Sequence, residues 1–248
     1  MFRIGRVFLI FACFVFAAPS HAAEITVSAA ASLKDVLTTI GKLYQRSHPA
    51  TKIAFNFGSS GALQQQIAAG APVDLFIAAA AQNVDDLASM NAVEVASRRI
   101  IARNQLVLIV PRGRPKIPLA ALRAAPIRTI AVGAPSVPAG RYARQALNKA
   151  GLMAAIAPKL VNCKDVRAVL RQVEAGNADA GFVYRTDVLR SKRAVIAVVF
   201  PSNFHEPIVY SMALVAQRHN AAARDFWSFL QRSAARQQFR RAGFGAPH

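Results

Sequence analysis

The hydrophobic residues of this chain follow two alternating spacings, which predict strands and helices in turn. Short apolar or alternating runs predict strands at residues 25–28, 53–57, 73–78, 105–110, 127–132, 159–161, 179–184, 194–200 and 208–216. Apolar positions repeating every three to four residues predict helices that begin near residues 32, 62, 83, 141, 165, 221 and 233. Ser32 and Asp35 have capping-box spacing at the first helix, and Asp165 is expected to cap another. This alternation is typical of α/β proteins with mostly parallel sheets.

The first 22 residues have the layout of a secretory signal peptide rather than of folded protein. Two arginines precede an apolar run at residues 7–18, and small residues follow it up to Ala22. The run is shorter than the roughly 20 residues that a membrane-spanning helix needs. We therefore expect cleavage after Ala22 and export of residues 23–248.

The chain is strongly basic, with 31 Lys and Arg residues against 12 Asp and Glu and a formal net charge of +19. Such a charge could serve a nucleic acid, an anionic membrane or the attraction of small anions to a cleft. The basic residues are scattered and are not interleaved with aromatic residues, which favours a solvated basic surface. We therefore expect no nucleic-acid partner.

The sequence contains no recognisable catalytic motif and no metal-binding motif. Its five histidines lack metal-ligand spacing, and it has no nucleophile elbow, phosphate-binding loop or dinucleotide-binding glycine motif. Cys163 is the one cysteine after the signal segment, which is too few for an internal disulfide or a cysteine metal site. We expect a binding protein rather than an enzyme, with no cofactor and no direct metal ligands.

Four turns between a predicted strand and the next helix are rich in small residues. They read Ala-Ala-Ala-Ser at residues 29–32, Gly-Ser-Ser-Gly at 58–61, Val-Pro-Ala-Gly at 137–140 and Asn-Cys-Lys-Asp-Val at 162–166. In open α/β sheets, ligands bind beyond the carboxyl ends of the strands, where helix N-termini offer free backbone N–H groups. Together the four turns predict a cradle for an anion.

Six blocks of the sequence resemble the periplasmic molybdate-binding proteins of ABC transporters. They occur in the order of that family and cover nearly the whole chain after the signal segment. The blocks are Ala-Ala-Ala-Ser-Leu at residues 29–33, Gly-Ser-Ser-Gly-Ala-Leu at 58–63, Gly-Ala-Pro-Val-Asp-Leu-Phe-Ile at 70–77, Val-Pro-Ala-Gly-Arg-Tyr-Ala at 137–143, Asp-Val-Arg at 165–167 and Ala-Asp-Ala-Gly-Phe-Val-Tyr-Arg-Thr-Asp at 178–187.

The resemblance implies a two-lobed periplasmic binding protein of type II. Its fold is α/β, with mixed, mostly parallel sheets flanked by helices and a ligand cleft between the lobes. We place the first lobe at residues 23–103 and 197–248, and the second at residues 104–196. The resemblance also implies a periplasmic monomer that binds molybdate or tungstate and delivers it to a membrane permease.

The family's oxyanion-binding positions can be carried over residue by residue. The serines would offer hydroxyl and backbone N–H groups, the tyrosine its phenolic hydroxyl, and the other two positions backbone N–H groups. Molybdate is fully deprotonated at neutral pH, so a site made only of donors suits it. Another tetrahedral oxyanion, such as sulfate or thiosulfate, is the alternative ligand. The positions are Ser32, Ser60, Ala139, Val166 and Tyr184.

Two segments depart from the family pattern. The turn at residues 133–136 is shorter and lacks the usual Asp, and residues 76–80 lack the usual Ser-Ala-Asp ending. Neither departure removes an expected donor, but both bear on the shape of the cleft and thus on ligand preference.

Overall fold

The computed structural model describes residues 23–124 and 126–247, so the expected signal peptide lies outside the described residues. The strands, in chain order, are β1 (Ala23–Ala30), β2 (Thr51–Gly58), β3 (Leu75–Ala78), β4 (Arg99–Arg103), β5 (Leu106–Pro111), β6 (Ile130–Gly133), β7 (Leu160–Cys163), β8 (Ala180–Tyr184), β9 (Ala194–Val199) and β10 (Val209–Leu214). The α-helices are α1 (Lys34–Ser47), α2 (Ser60–Ala68), α3 (Ala81–Ser89), α4 (Pro138–Lys149), α5 (Met153–Ile156), α6 (Val166–Glu174), α7 (Arg185–Val188), α8 (Ala221–Leu230) and α9 (Ser233–Arg241).

The strands form two five-stranded sheets with matching topology. The first sheet has the order β2-β1-β3-β10-β4, and the second has the order β7-β6-β8-β5-β9. In each sheet the first three strands are parallel, and the fourth runs antiparallel to both of its neighbours. Each sheet therefore has four strands in one direction and one reversed strand, which agrees with the predicted mixed, mostly parallel architecture.

Burial explains why the central strands are continuous apolar runs. All residues of β3, β6 and β8 are buried, as are the first five residues of β5. Strands covered by helices on both faces lose the alternation that marks a half-exposed strand. The helices bury one stripe each; in α6 this stripe is Val166, Val169, Leu170 and Val173, as predicted.

Helix capping follows the prediction at one helix and not at another. Asp165 caps α6, and its carboxylate accepts the Ala168 N–H at 2.7 Å. The expected capping box of Ser32 with Asp35 is wrong, because Ser32 lies in a 3₁₀ turn (Ala31–Leu33) that precedes α1. The cap position of α1 is Leu33, which provides no side-chain hydrogen bond. The Ser32 hydroxyl is therefore free for another role.

The chain passes between the sheets twice. The first passage is the short link between β4 and β5, and the second lies between β9 and β10. We call the first sheet with its helices the first lobe, and the second sheet with its helices the second lobe. Because β9 pairs with β5 as far as Val199, the boundary expected at residues 196 and 197 falls inside a strand of the second lobe.

One strand was not among the predicted elements. Among the strands of the described residues, β4 pairs with β10 alone and forms an edge of the first sheet, and Arg103 at its end also bridges Gly245. Of its five residues only Ile101 and Ala102 are buried, and arginines occupy both ends. Among the described residues, no helix has the length and hydrophobicity needed to cross a bilayer.

Candidate functional site

The residues that follow β1, β2, β6 and β7 line one cavity between the lobes. Its volume is about 10 Å³, close to the smallest space that holds a water-sized group. A cavity of this size leaves no room for a large organic solute. All five positions expected to bind an oxyanion lie on its wall: Ser32, Ser60, Ala139, Val166 and Tyr184.

The hydroxyl of Ser60 already accepts one hydrogen bond from the protein. Ser60 is the first residue of α2 and is 1% exposed, and its Oγ accepts the Ala79 N–H at 2.9 Å. The neighbouring Ser59 caps α2 by accepting the Ala62 N–H. With an N–H already bound to its oxygen, Ser60 is set to donate its own proton. Ala79 lies on the cavity wall beside it.

The hydroxyl of Ser32 belongs to a longer chain of hydrogen bonds. Ser32 Oγ lies 2.9 Å from the phenolic oxygen of Tyr210, on β10. Asn104 Nδ2 donates to the same phenolic oxygen at 3.1 Å. Since Tyr210 accepts from Asn104, its own proton is available for Ser32, which leaves the Ser32 proton for the cavity. Burial raises the pKa of Tyr210, so the phenol keeps this proton at neutral pH.

Tyr184, at the end of β8, has the side chain that is best placed to bind a ligand. It is 1% exposed, and its hydroxyl has no hydrogen-bond partner among the described residues. Burial raises the pKa of this phenol well above its usual value, so the group is a donor at neutral pH. A buried, unpaired hydroxyl costs free energy unless something in the site accepts its proton. Its position on the cavity wall supplies the place for that acceptor.

Two of the expected positions, Ala139 and Val166, lie at the starts of helices in the second lobe. Val166 is the first residue of α6, and Ala139 is the second residue of α4. The first N–H groups of a helix have no partner within it and lie at its positive end. A Cβ atom at Gly140 would collide with the carbonyl oxygen of Gly133. Glycine at this position thus lets α4 begin close to the end of β6.

The wall of the cavity carries few charged side chains. No Lys, Arg or His is found on its wall among the described residues, and the one carboxylate there is Asp165. Asp165 is already engaged as the cap of α6. The parts of the chain that the structure describes also hold no cluster of three or more His, Cys, Asp or Glu able to bind a metal ion. The site is therefore built to donate hydrogen bonds to a ligand that accepts them.

Comparison with known proteins identifies the family. Residues 25–245 match the family described as bacterial extracellular solute-binding protein. The chain belongs to this family. This chain is 40% identical over 224 residues to a Bacillus subtilis protein, YvgL, which is provisionally named an ABC transporter substrate-binding lipoprotein. The match covers 90% of this chain and 86% of YvgL.

Two further relatives carry a more specific description. The molybdate-binding protein ModA of Haemophilus influenzae is 35% identical to this solute-binding protein over 230 residues, which are 90% of this chain and 91% of ModA. The solved structure of the periplasmic molybdate-binding protein of Azotobacter vinelandii superposes with a TM-score of 0.81. It is 23% identical, and the match covers 90% of this chain and 100% of that one. The two-lobed type II binding-protein fold is thereby confirmed.

Both departures from the family pattern adjoin the cavity of this solute-binding protein. The turn at residues 133–136 leads directly into the Val137-Pro138-Ala139 wall, and Ala79 belongs to the other departing segment. No pattern in the sequence pointed to Ala79 and Tyr210, which bond the two serine hydroxyls, or to Asn104, which bonds Tyr210. Tyr210 is 178 residues from Ser32, and no local pattern links such positions.

Proposed function

We propose that this protein binds molybdate, or tungstate of the same charge and shape, and delivers it to the membrane permease of an ABC transporter. The observation that carries the proposal is the Tyr184 hydroxyl, which is buried, unpaired among the described residues and on the wall of a small cavity. The molybdate-binding relative that is 35% identical over most of both chains supports the same ligand.

The chemistry of the site favours a fully deprotonated oxyanion. Such an ion has only acceptors, and the cavity offers hydroxyl protons of Ser32, Ser60 and Tyr184 together with backbone N–H groups. A monoprotonated phosphate would bring a proton that needs an acceptor. The one carboxylate on the wall caps a helix instead. Each hydrogen bond to a charged acceptor contributes about 1.5–3 kcal/mol, so several donors suffice without a cationic side chain.

Sulfate, or thiosulfate, is the second candidate ligand. Sulfate has the same charge and tetrahedral shape as molybdate, and its smaller size suits the small volume of the cavity. The donor set treats the two alike, so the choice between them depends on the dimensions of the closed cleft.

The transport role carries further expectations. We propose that the chain is cleaved after Ala22, acts in the periplasm as a monomer and performs no catalysis. The closed, anion-loaded form would dock on the permease, and opening of the two lobes there would release the anion.

Titration calorimetry of residues 23–248 against molybdate, tungstate, sulfate and phosphate tests the ligand. We expect tight binding of molybdate and tungstate, with sulfate and phosphate weak or silent. Preference for sulfate would establish the second candidate. Preference for phosphate, or no binding of any of the four, would refute the donor-only reading of the site.

A further inference from the structure

Arg167 connects the two lobes beside the cavity. It follows Val166 in α6, which packs on the second sheet, and its Nη2 lies 2.7 Å from Asp35 Oδ2. Asp35 is in the first turn of α1, which packs in the first lobe. Ser32 lies three residues before Asp35, so this ion pair joins the starts of two helices that both begin at the site.

On its other side, Arg167 is held by a buried carboxylate of its own lobe. Its Nε lies 3.2 Å from Oδ1 of Asp187, whose side chain is fully buried. The two atoms are close enough for an ion pair but are not aligned as a hydrogen bond. The other oxygen, Asp187 Oδ2, accepts the backbone N–H of Tyr184 at 3.1 Å. Arg167 is thus tied to the segment that carries the site tyrosine.

The electrostatics keep this arginine charged. Burial by itself lowers the pKa of the Arg167 guanidinium, but the carboxylates of Asp187 and Asp35 raise it overall. Burial also raises the pKa of Asp187 to about 7, while Arg167 and the Tyr184 N–H act against that rise. Arg167 and Asp187 belong to the same lobe, so Arg167 favours the charged form of Asp187 whether the lobes are open or closed. Asp35, whose side chain is 44% exposed, can be solvated when the lobes separate.

We propose that Arg167 and Asp35 form a latch that holds the lobes closed over the anion, without either side chain contacting it. When the lobes open, Arg167 keeps Asp187 and loses Asp35, so the pair exists only in the closed form. The latch rests on the proposed function, since it acts by lobe closure around a ligand. It makes Asp35 a positioning residue that sets the fraction of closed protein and the rate of anion release.

The direction in which anion affinity changes when Asp35 loses its charge distinguishes a latch from a simple electrostatic effect. Asp35 carries a negative charge near an anion site, so removing that charge should strengthen anion binding if charge alone matters. Removing a latch should weaken binding. Asp35 is also a better position for substitution than Arg167, because loss of Arg167 would leave the buried Asp187 without its counter-ion and could destabilise the fold.

The experiment compares Asp35→Asn with Asp85→Asn in the whole mature chain. Asp85 forms an ion pair with Arg98 at 2.7 Å, is similarly exposed, and both partners lie in the first lobe, so this control makes the same change of charge without crossing the cleft. We expect Asp35→Asn to weaken molybdate binding about fivefold, mainly through faster release. Asp85→Asn should leave both unchanged. Asp35→Glu should recover part of the affinity, because it keeps the charge.

Unchanged or stronger binding by Asp35→Asn would overturn the latch. Small-angle scattering keeps this test separate from the identity of the ligand. If the wild type binds none of the four anions, the proposed function fails, but the unliganded chain still reports closure. In that case a larger radius of gyration for Asp35→Asn than for Asp85→Asn supports the latch, and equal radii refute it.

Discussion

Tyr184→Phe should change anion affinity and protein stability in different ways. The substitution removes one oxygen from a buried side chain, and the hydroxyl lost has no protein partner among the described residues. One hydrogen bond to a charged acceptor contributes about 1.5–3 kcal/mol, so the dissociation constant for molybdate should rise about 10- to 150-fold. The unliganded protein loses no hydrogen bond. Its free energy of unfolding should therefore stay constant or rise by up to about 1 kcal/mol.

Titration calorimetry and thermal unfolding without ligand measure the two quantities on the same preparations. Tyr44→Phe is the matched control, because Tyr44 is equally buried but packs in the first lobe against Phe226 and Phe229. It should leave anion affinity unchanged. If Tyr184→Phe bound molybdate as tightly as the wild type, the hydroxyl would not reach the anion. If it destabilised the unliganded protein, the hydroxyl would have a structural partner after all.

Three further substitutions test other parts of the structure. Ser60→Ala should weaken molybdate binding and also lower the free energy of unfolding in urea by about 1–3 kcal/mol, because the buried Ala79 N–H loses its acceptor; an unchanged denaturation midpoint would contradict this bond. Gly61→Ala would place a Cβ against the Ser136 carbonyl oxygen of the other lobe, so affinity measured by calorimetry should fall about tenfold with no loss of unliganded stability, and wild-type affinity would show that closure does not bring these atoms together. Burial raises the pKa of Asp187 to about 7 in the folded protein, above its unfolded value of about 3.9, so the folded state holds the extra proton and the wild type should lose stability as pH rises from about 4 to about 7. Denaturation of Asp187→Asn across that range should lack this loss, and equal slopes for the two proteins would refute the shift.

Much of the fold followed from local patterns. The buried strands are continuous apolar runs, the helices have one apolar stripe, and the turns between them are marked by small residues. β4 was not predicted, because an edge strand with only Ile101 and Ala102 buried has a weak hydrophobic pattern. The capping box at Ser32 was wrong for a related reason: a short spacing motif does not show where a 3₁₀ turn gives way to an α-helix.

The candidate site was predictable only in part. The family resemblance supplied five positions, and the structure brings all five to one cavity. The groups that orient them were not visible in the sequence. Tyr210 reaches Ser32 across 178 residues, and Arg167 reaches Asp35 across 132. Such pairs form only when distant segments pack together, so no periodicity or turn motif near either residue predicts them.

The backbone N–H groups of Ala139 and Val166, which we propose to bind the anion, affect how this site can change as the sequence evolves. A peptide N–H is present whatever side chain the residue carries, proline excepted, so drift at these two positions need not remove a donor. What moves such a donor is the path of the chain that leads to it. The turn at residues 133–136 sets where α4 begins, and Gly140 sets how closely it approaches β6. Insertion or deletion of a turn residue could therefore shift the preferred anion radius, while every residue proposed to contact the anion stays the same.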